Sequence, residues 1–337
     1  MADLSWTEPG AYPVSDGVWR IPLPLPMDGL RAVNVYVLET EEGLVLIDGG
    51  WAIPEAREQL VDSLRQAGHA LSDIRRFLVT HVHRDHYTQA VALRQEVGAH
   101  VSLGIGEKPS LDLLNAAESV GDNDVRRLRR AGAHELDLPW TDTRGERPPV
   151  EYYDYPDAWL EASSRVDLGG RELDVVPTPG HTQGHVVFAD TGGGLLFAGD
   201  HVLPQITPSI GFEPAWVQQP LRDFLDSLRR VRELPDLRLL PAHGPVTDSS
   251  YARVDELLAF HDERLADTLA AARGGARTGW EVAQELPWTR RRRRAVDLTP
   301  FDQVLAAFET LSHLELLVLR GQLARGEEDG VAVFAPV

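Results

Sequence analysis

The sequence predicts an α/β (α+β) fold in which layered sheets are flanked by helices and the polar chemistry lies along one rim. Three observations predict it. Apolar strands alternate with helices in two successive runs, hairpin turns join neighbouring strands, and each His- or Asp-bearing loop follows a strand. A chain of 337 residues has room for one large domain and a small appendage.

The first run opens with Val33 to Leu38, a Glu-Glu-Gly turn and Leu44 to Asp48, which reads as a hairpin closing on Gly49-Gly50. Residues 54 to 67 have helical spacing, with Pro54 suited to a first turn. A short strand from Phe77 to Thr80 runs into His81-Val82-His83-Arg84-Asp85-His86, and a second helix is expected from about Thr88 to Val97. The second run places strands at Leu173 to Val176, His185 to Ala189 and Leu195 to Ala198. A helix near Val217 to Val231 and a strand at Leu237 to Leu240 follow. The polar stretch 105 to 165, with Tyr152-Tyr153-Asp154-Tyr155-Pro156, reads equally as a surface insertion or as a lid over the substrate.

A helix from about Tyr251 to Arg273 stops at Gly274-Gly275. That stop divides a main domain, residues 1 to 275, from a C-terminal unit, residues 276 to 337. The unit reads as a short helix near Thr278 to Leu286, the run Arg290 to Arg294, a helix from Pro300 to Arg320 and a hairpin from Gly321 to Phe334. This is a winged-helix-like order. Phe301, Val304, Leu305, Phe308, Leu311 and Leu314 fall at core-like spacing on the long helix, more apolar surface than so small a unit can bury. The face is therefore expected to pack on the main domain or on a second subunit, in a homodimer.

The formal charge of -19 argues against indiscriminate binding of polyanions. Residues 276 to 337 carry 8 Lys+Arg and 9 Asp+Glu, which leaves 25 and 43, a net of -18, on residues 1 to 275. Any nucleic-acid contact would have to be local, with the tail as its only candidate. There is no cysteine, so disulfides are excluded and a metal would be held by nitrogen and oxygen donors. No basic N-terminal leader and no run of 18 apolar residues is seen, so a cytoplasmic protein without a membrane partner is expected.

Those donors are concentrated. His81 and His83, two apart at a strand end, can aim both rings to one side. Asp85 and His86 follow as the chain turns into a helix, whose N-terminus favours an ionised Asp85. His181 lies in Pro179-Gly180-His181-Thr182-Gln183-Gly184-His185, Asp200 in Phe197-Ala198-Gly199-Asp200, and His243 in Pro241-Ala242-His243-Gly244. Each is bracketed by Gly or Pro and follows a strand, as tight loops at one rim require. No phosphate loop, no Gly-x-Ser-x-Gly elbow and no His-Glu-x-x-His helix offers another chemistry.

In these four motifs and in their order, the sequence from about residue 15 to 270 resembles the metallo-β-lactamase fold superfamily. The resemblance implies an αββα sandwich and two metal ions. His81, His83 and His181 would bind one ion, Asp85, His86 and His243 the other, and Asp200 would bridge. Asp48 would support the ligands from outside, and His201, beside Asp200, would support them or touch substrate. His185, facing a strand, is expected to pack and hydrogen bond. Zinc is the expected metal, with iron or manganese as alternatives. The implied chemistry is hydrolysis by a hydroxide shared between the ions, with Asp85 also orienting or shuttling its proton.

A small-molecule acyl substrate, a thioester or a lactone, is the leading expectation. The alternative is an endoribonuclease or phosphodiesterase, because Ala306 to Glu315 and the terminal hairpin resemble the tail of lactamase-like endoribonucleases. Arg290 to Arg294 would then grip phosphates; otherwise they form a solvated turn or pair with the acidic main domain. A binding protein without turnover is disfavoured, since all seven ligands are present.

Overall fold

The computed structural model describes residues 4–26, 29–116, 120–136 and 150–337. Its order begins with strands β1 (Tyr12–Ser15), β2 (Val18–Pro24), β3 (Ala32–Thr40) and β4 (Gly43–Ile47), then helix α1 (Pro54–Gln66), β5 (Ile74–Val79), α2 (Arg84–Val97) and β6 (His100–Gly104). Helices α3 (Lys108–Asn115) and α4 (Val120–Arg130) precede β7 (Ala158–Leu160), β8 (Arg165–Asp167), β9 (Glu172–Pro177), β10 (Val186–Asp190) and β11 (Leu195–Gly199). Then come α5 (Pro220–Glu233), β12 (Arg238–Pro241), α6 (Ser250–Gly274), α7 (Gly279–Glu285), α8 (Pro300–Leu319) and the hairpin β13 (Leu323–Glu328) and β14 (Val331–Pro336).

Strands β1 to β7 form one sheet in sequence order, and β12-β11-β10-β9-β8 form a second. Alternation along the strands builds three core layers between and outside them. Tyr36 and Leu38 of β3 face the second sheet, meeting Phe188 and Phe197, whereas Val35 and Val37 face Leu60, Leu64 and Tyr87 of α1 and α2. On the second sheet Phe197 points inward, while Leu196 and Ala198 pack outward on Phe224 of α5 and Leu257 of α6. The result is helices, sheet, sheet, helices, the expected αββα sandwich.

Several elements were not legible in the sequence. Strand β2 contains Pro22 and Pro24, which argue against a central strand. Both prolines pair with β3, Pro22 opposite Asn34 and Pro24 opposite Ala32, but the pairing with β1 ends at Arg20 opposite Tyr12, so on that edge no strand needs their missing N–H groups. Helix α2 begins at Arg84, four residues before the expected Thr88, so Asp85 and His86 lie in its first turn. Within 105 to 165, α3, α4 and the edge strand β7 are built structure; residues 137–149 of that stretch lie outside the described residues. No helix among the described residues is long and apolar enough to cross a membrane.

The C-terminal elements share a core with the second sheet. Val304, Phe308 and Leu314 of α8 and Trp280 of α7 join the same apolar cluster as Val187, Leu196 and Phe224. The apolar face of α8 thus finds most of its cover within the chain. This layer also buries Glu309, whose carboxyl is pushed from about 4.5 to about 7 by burial against a weaker pull from Arg264. A raised folded value means that the protonated acid is the stable form. Its stability contribution is present below about pH 4.5 and is lost as pH rises through about 7. The loss approaches roughly 3 kcal/mol at about 1.4 kcal/mol per unit. Glu309→Gln should melt several degrees above the parent at pH 8 and with it at pH 4.5; equal melting temperatures at pH 8 would contradict this.

Candidate metal centre

Five strand ends deliver the site. β4 runs out at Asp48, β5 at Thr80-His81, β9 into the loop holding His181, β11 at Gly199-Asp200 and β12 just before His243. β4 and β5 are parallel, as are β11 and β12, and β9 lies two antiparallel steps from β11. All five carboxyl ends therefore lie along one rim, where open α/β sheets bind ligands.

Seven predicted side chains converge there in two sets. Donor atoms of His81, His83, His181 and Asp200 lie within 4.8 Å of one another, and so do those of Asp85, His86 and His243. Asp200 stands between the sets. Its Oδ2 lies 3.4 Å from His181 Nε2 and 4.0 Å from His81 Nε2, while its Oδ1 lies 3.3 Å from His243 Nε2 and 3.7 Å from His86 Nε2. Asp85 Oδ2 lies 3.4 Å from His243 Nε2 and 3.7 Å from His86 Nε2.

Hydrogen bonds from outside set which ring nitrogen faces inward. His243 Nδ1 donates to Ala32 O at 2.7 Å, His181 Nδ1 to Ser209 O at 2.8 Å, and His83 Nε2 to Phe212 O at 3.2 Å. A carbonyl can only accept, so the other nitrogen of each neutral ring carries a lone pair into the cluster. His86 Nδ1 lies 2.9 Å from Asp48 Oδ2, and His81 Nδ1 lies 3.0 Å from Thr80 Oγ1, which itself donates to Asp48. Asp48 also accepts Thr80 N at 2.8 Å, so this one buried carboxylate, in a left-handed backbone conformation, braces two histidines. Such outer partners hold ligand rings at a fixed angle.

These residues fit a divalent cation. The inward atoms His81 Nε2, His86 Nε2, His243 Nε2 and Asp200 Oδ1 are buried without a hydrogen-bond partner, an arrangement that costs free energy unless something binds them. His83 Nδ1 and His181 Nε2 are 3.0 Å apart, and two lone pairs at that distance repel unless a proton or a cation lies between them. Burial, aided by the neighbouring His181, holds His83 down at about 3, so no proton serves at neutral pH. On the other side burial lowers His243, yet Asp200 and Asp85 outweigh it and push it up to about 10. A cation would displace that proton, so binding should tighten as pH rises.

Around the cluster lie His185 and His201, which sequence reasoning had singled out, and Asn34, Glu107 and Glu213, which it had not. His185 Nε2 accepts Asp200 N at 3.1 Å and its Nδ1 meets Thr178 Oγ1 at 2.8 Å, so His185 positions Asp200. His201 instead packs edge-on against Phe224 with both ring nitrogens unpartnered, and it does not enter the cluster. Asn34 spans the two sheets, donating from Nδ2 to Pro241 O and Gly244 O at 3.0 and 2.9 Å on either side of His243. A polar residue inside Val33-Asn34-Val35-Tyr36-Val37 was its legible signal. Glu107 accepts Thr182 Oγ1, and Glu213 Oε2 accepts Gln183 N at 2.9 Å, so two buried carboxyls clamp the loop after His181. Burial raises them to about 8 and about 7. As lone glutamates far apart in sequence they carried no signal.

The metallo-beta-lactamase superfamily model matches residues 28–243. A Bacillus subtilis protein named "Probable metallo-hydrolase YqjP" is 25% identical over 79% of this chain and 83% of its own. A Gallus gallus protein named "Acyl-coenzyme A thioesterase MBLAC2" is 27% identical over 72% of this chain and 82% of its own. The crystal structure of a metallo-beta-lactamase family protein from Thermus thermophilus superposes with a TM-score of 0.78 at 27% identity, covering 96% of this chain and 99% of that one. With two linked donor sets at the rim of an αββα sandwich and a family match spanning every one of the seven donors, this chain belongs to the metallo-beta-lactamase superfamily and is a metallo-hydrolase.

Proposed function

We propose that this hydrolase holds two zinc ions and cleaves acyl thioesters. The observation that carries the reading is Asp200, whose two oxygens face separate nitrogen sets, as a bridging carboxylate would. His81, His83 and His181 would hold one ion, and Asp85, His86 and His243 the other. A metal pair so bound supplies Lewis acidity and an acidified water.

The chain's own groups do the rest. Asp85 Oδ2 is turned to His86 and His243, which leaves Oδ1 to orient the attacking water and take its proton. The side chain is 14% exposed, against 8% for Asp200. Histidines fixed from behind by backbone carbonyls cannot swing toward substrate, so the site stays shaped for the transition state. Hydrolysis adds water across the C–S bond and yields a carboxylate and a thiol. A thioester rather than a lactone is supported by the Gallus gallus relative and by an Aspergillus fumigatus protein named "Atrochrysone carboxyl ACP thioesterase", 25% identical over 72% of this chain.

The test is a panel of thioesters, lactones and phosphodiesters given to the zinc-loaded protein, with Asp85→Ala as control. Thioester cleavage that falls about a hundredfold or more in the control is expected, the range of general acid–base catalysis. Activity confined to phosphodiesters would overturn the reading and favour the endoribonuclease alternative.

A further inference from the structure

Arg290 to Arg294 have no part in the metal centre, yet they are built into its surroundings. They occupy an exposed turn closed by Trp288 N to Arg293 O at 2.8 Å and Arg293 N to Trp288 O at 2.7 Å. The left-handed residues Thr289 and Arg292 set its path. Trp288 anchors it, buried beneath the Arg264 guanidinium, with its indole N–H on Ala283 O at 2.8 Å. Among the described residues none of the five arginines is ion-paired with a carboxylate, although residues 1 to 275 carry a net charge of -18. Arg290 donates to Gln205 O at 2.7 Å and Arg293 to Asp297 O. A fixed turn that keeps arginines clear of an acidic chain is suited to a mobile anion.

Its place says which anion. Gln205 opens the segment 205 to 212, which walls the metal centre. Pro204 and Gln205 approach Gly244, next to His243; Ser209 O holds His181, and Phe212 O holds His83. The C-terminal unit touches both ends of this wall, through Arg290 at Gln205 and through Phe301, whose ring meets that of Phe212 at 5.6 Å. Cations thus stand outside one end of the wall, and an aromatic pair at the other.

We propose that this turn binds the phosphate groups of a thioester whose thiol half is a phosphorylated carrier. The inference rests on the thioester reading and deepens it. Arginine forks match phosphate oxygens, and the surrounding negative charge confines anion binding to this turn. A long nucleic acid would have to cross the acidic main domain, which disfavours it.

The test compares hexanoyl-coenzyme A with hexanoyl-pantetheine, which has the same acyl group and no phosphate, in the zinc-loaded full chain. The variant is Arg291→Gln/Arg292→Gln/Arg294→Gln, which spares the two arginines bonded to backbone carbonyls. The preference for the phosphorylated ester in kcat/KM should fall about tenfold to thirtyfold in the variant, the sum expected of three exposed charge contacts. Binding of coenzyme A itself, by calorimetry, should weaken by the same factor and lose its salt dependence. Both esters cleaved, with a preference unchanged in the variant, would overturn the phosphate site and leave the thioester reading standing. Neither ester cleaved would overturn both, and RNA cleavage lost in the variant would assign the turn to nucleic acid instead.

Discussion

Asp200→Ala is expected to lose at least one of the two proposed metal ions and to lower kcat/KM for the proposed thioester cleavage about a thousandfold or more. No other described residue faces both donor sets, with one carboxylate oxygen 3.3 Å from His243 and the other 3.4 Å from His181. Removing it leaves each set with three donors and two clusters of nitrogen without an anion between them, and several kcal/mol of charge stabilisation in the transition state go with it. Elemental analysis after desalting, beside turnover, checks the result. Asp200→Asn, which keeps the side-chain shape, should recover the fold without the charge; the backbone N–H that donates to His185 Nε2 is present in both variants. A variant that kept two equivalents of zinc and full activity would remove Asp200 from the bridging position.

Gly180→Ala should damage the site as deeply without touching a ligand. Gly180 has φ of +136°, a conformation that a side chain rarely adopts, and an added Cβ would lie 2.4 Å from Phe224 Cα and 2.5 Å from its backbone nitrogen. Backbone cannot turn aside as a flexible side chain can. The loop would have to leave α5, carrying His181 with it. A cost of about 3 kcal/mol or more is expected from overpacking with backbone strain. Thermal melting with and without zinc, and competition with a chromogenic chelator, should show both lower stability and weaker metal binding. Unchanged values in both would mean that the loop is looser than its packing implies.

The donors were legible because metal chemistry restricts residue types and tight loops restrict their flanks. His81 to His86 is dense enough to read directly, and the Gly- and Pro-bracketed positions of His181, Asp200 and His243 completed the pattern. The supports were less visible for a physical reason. Thr80, Glu107 and Glu213 act through hydrogen bonds whose partners are up to 75 residues away in the chain, as Glu107 is from Thr182. Nothing in local spacing marks such a pair. His201, adjacent to a donor, illustrates the reverse: sequence proximity suggested support, but the turn after β11 sends its ring to Phe224. The arginine run was equally conspicuous and equally undecided until its tether to Gln205 placed it beside the wall of the metal centre.

By itself, then, the sequence determined the layered α/β architecture, the seven donors and the kind of chemistry they allow, because periodicity and donor type are local properties. The tertiary structure alone decided which nitrogen of each ring faces inward and that the C-terminal unit shares the core of the main domain, and it brought together in space the two donor sets that the family resemblance implied. Those depend on which strand ends meet, and residues 210 apart in the chain, such as Asn34 and Gly244, become neighbours only when two sheets close over a common core.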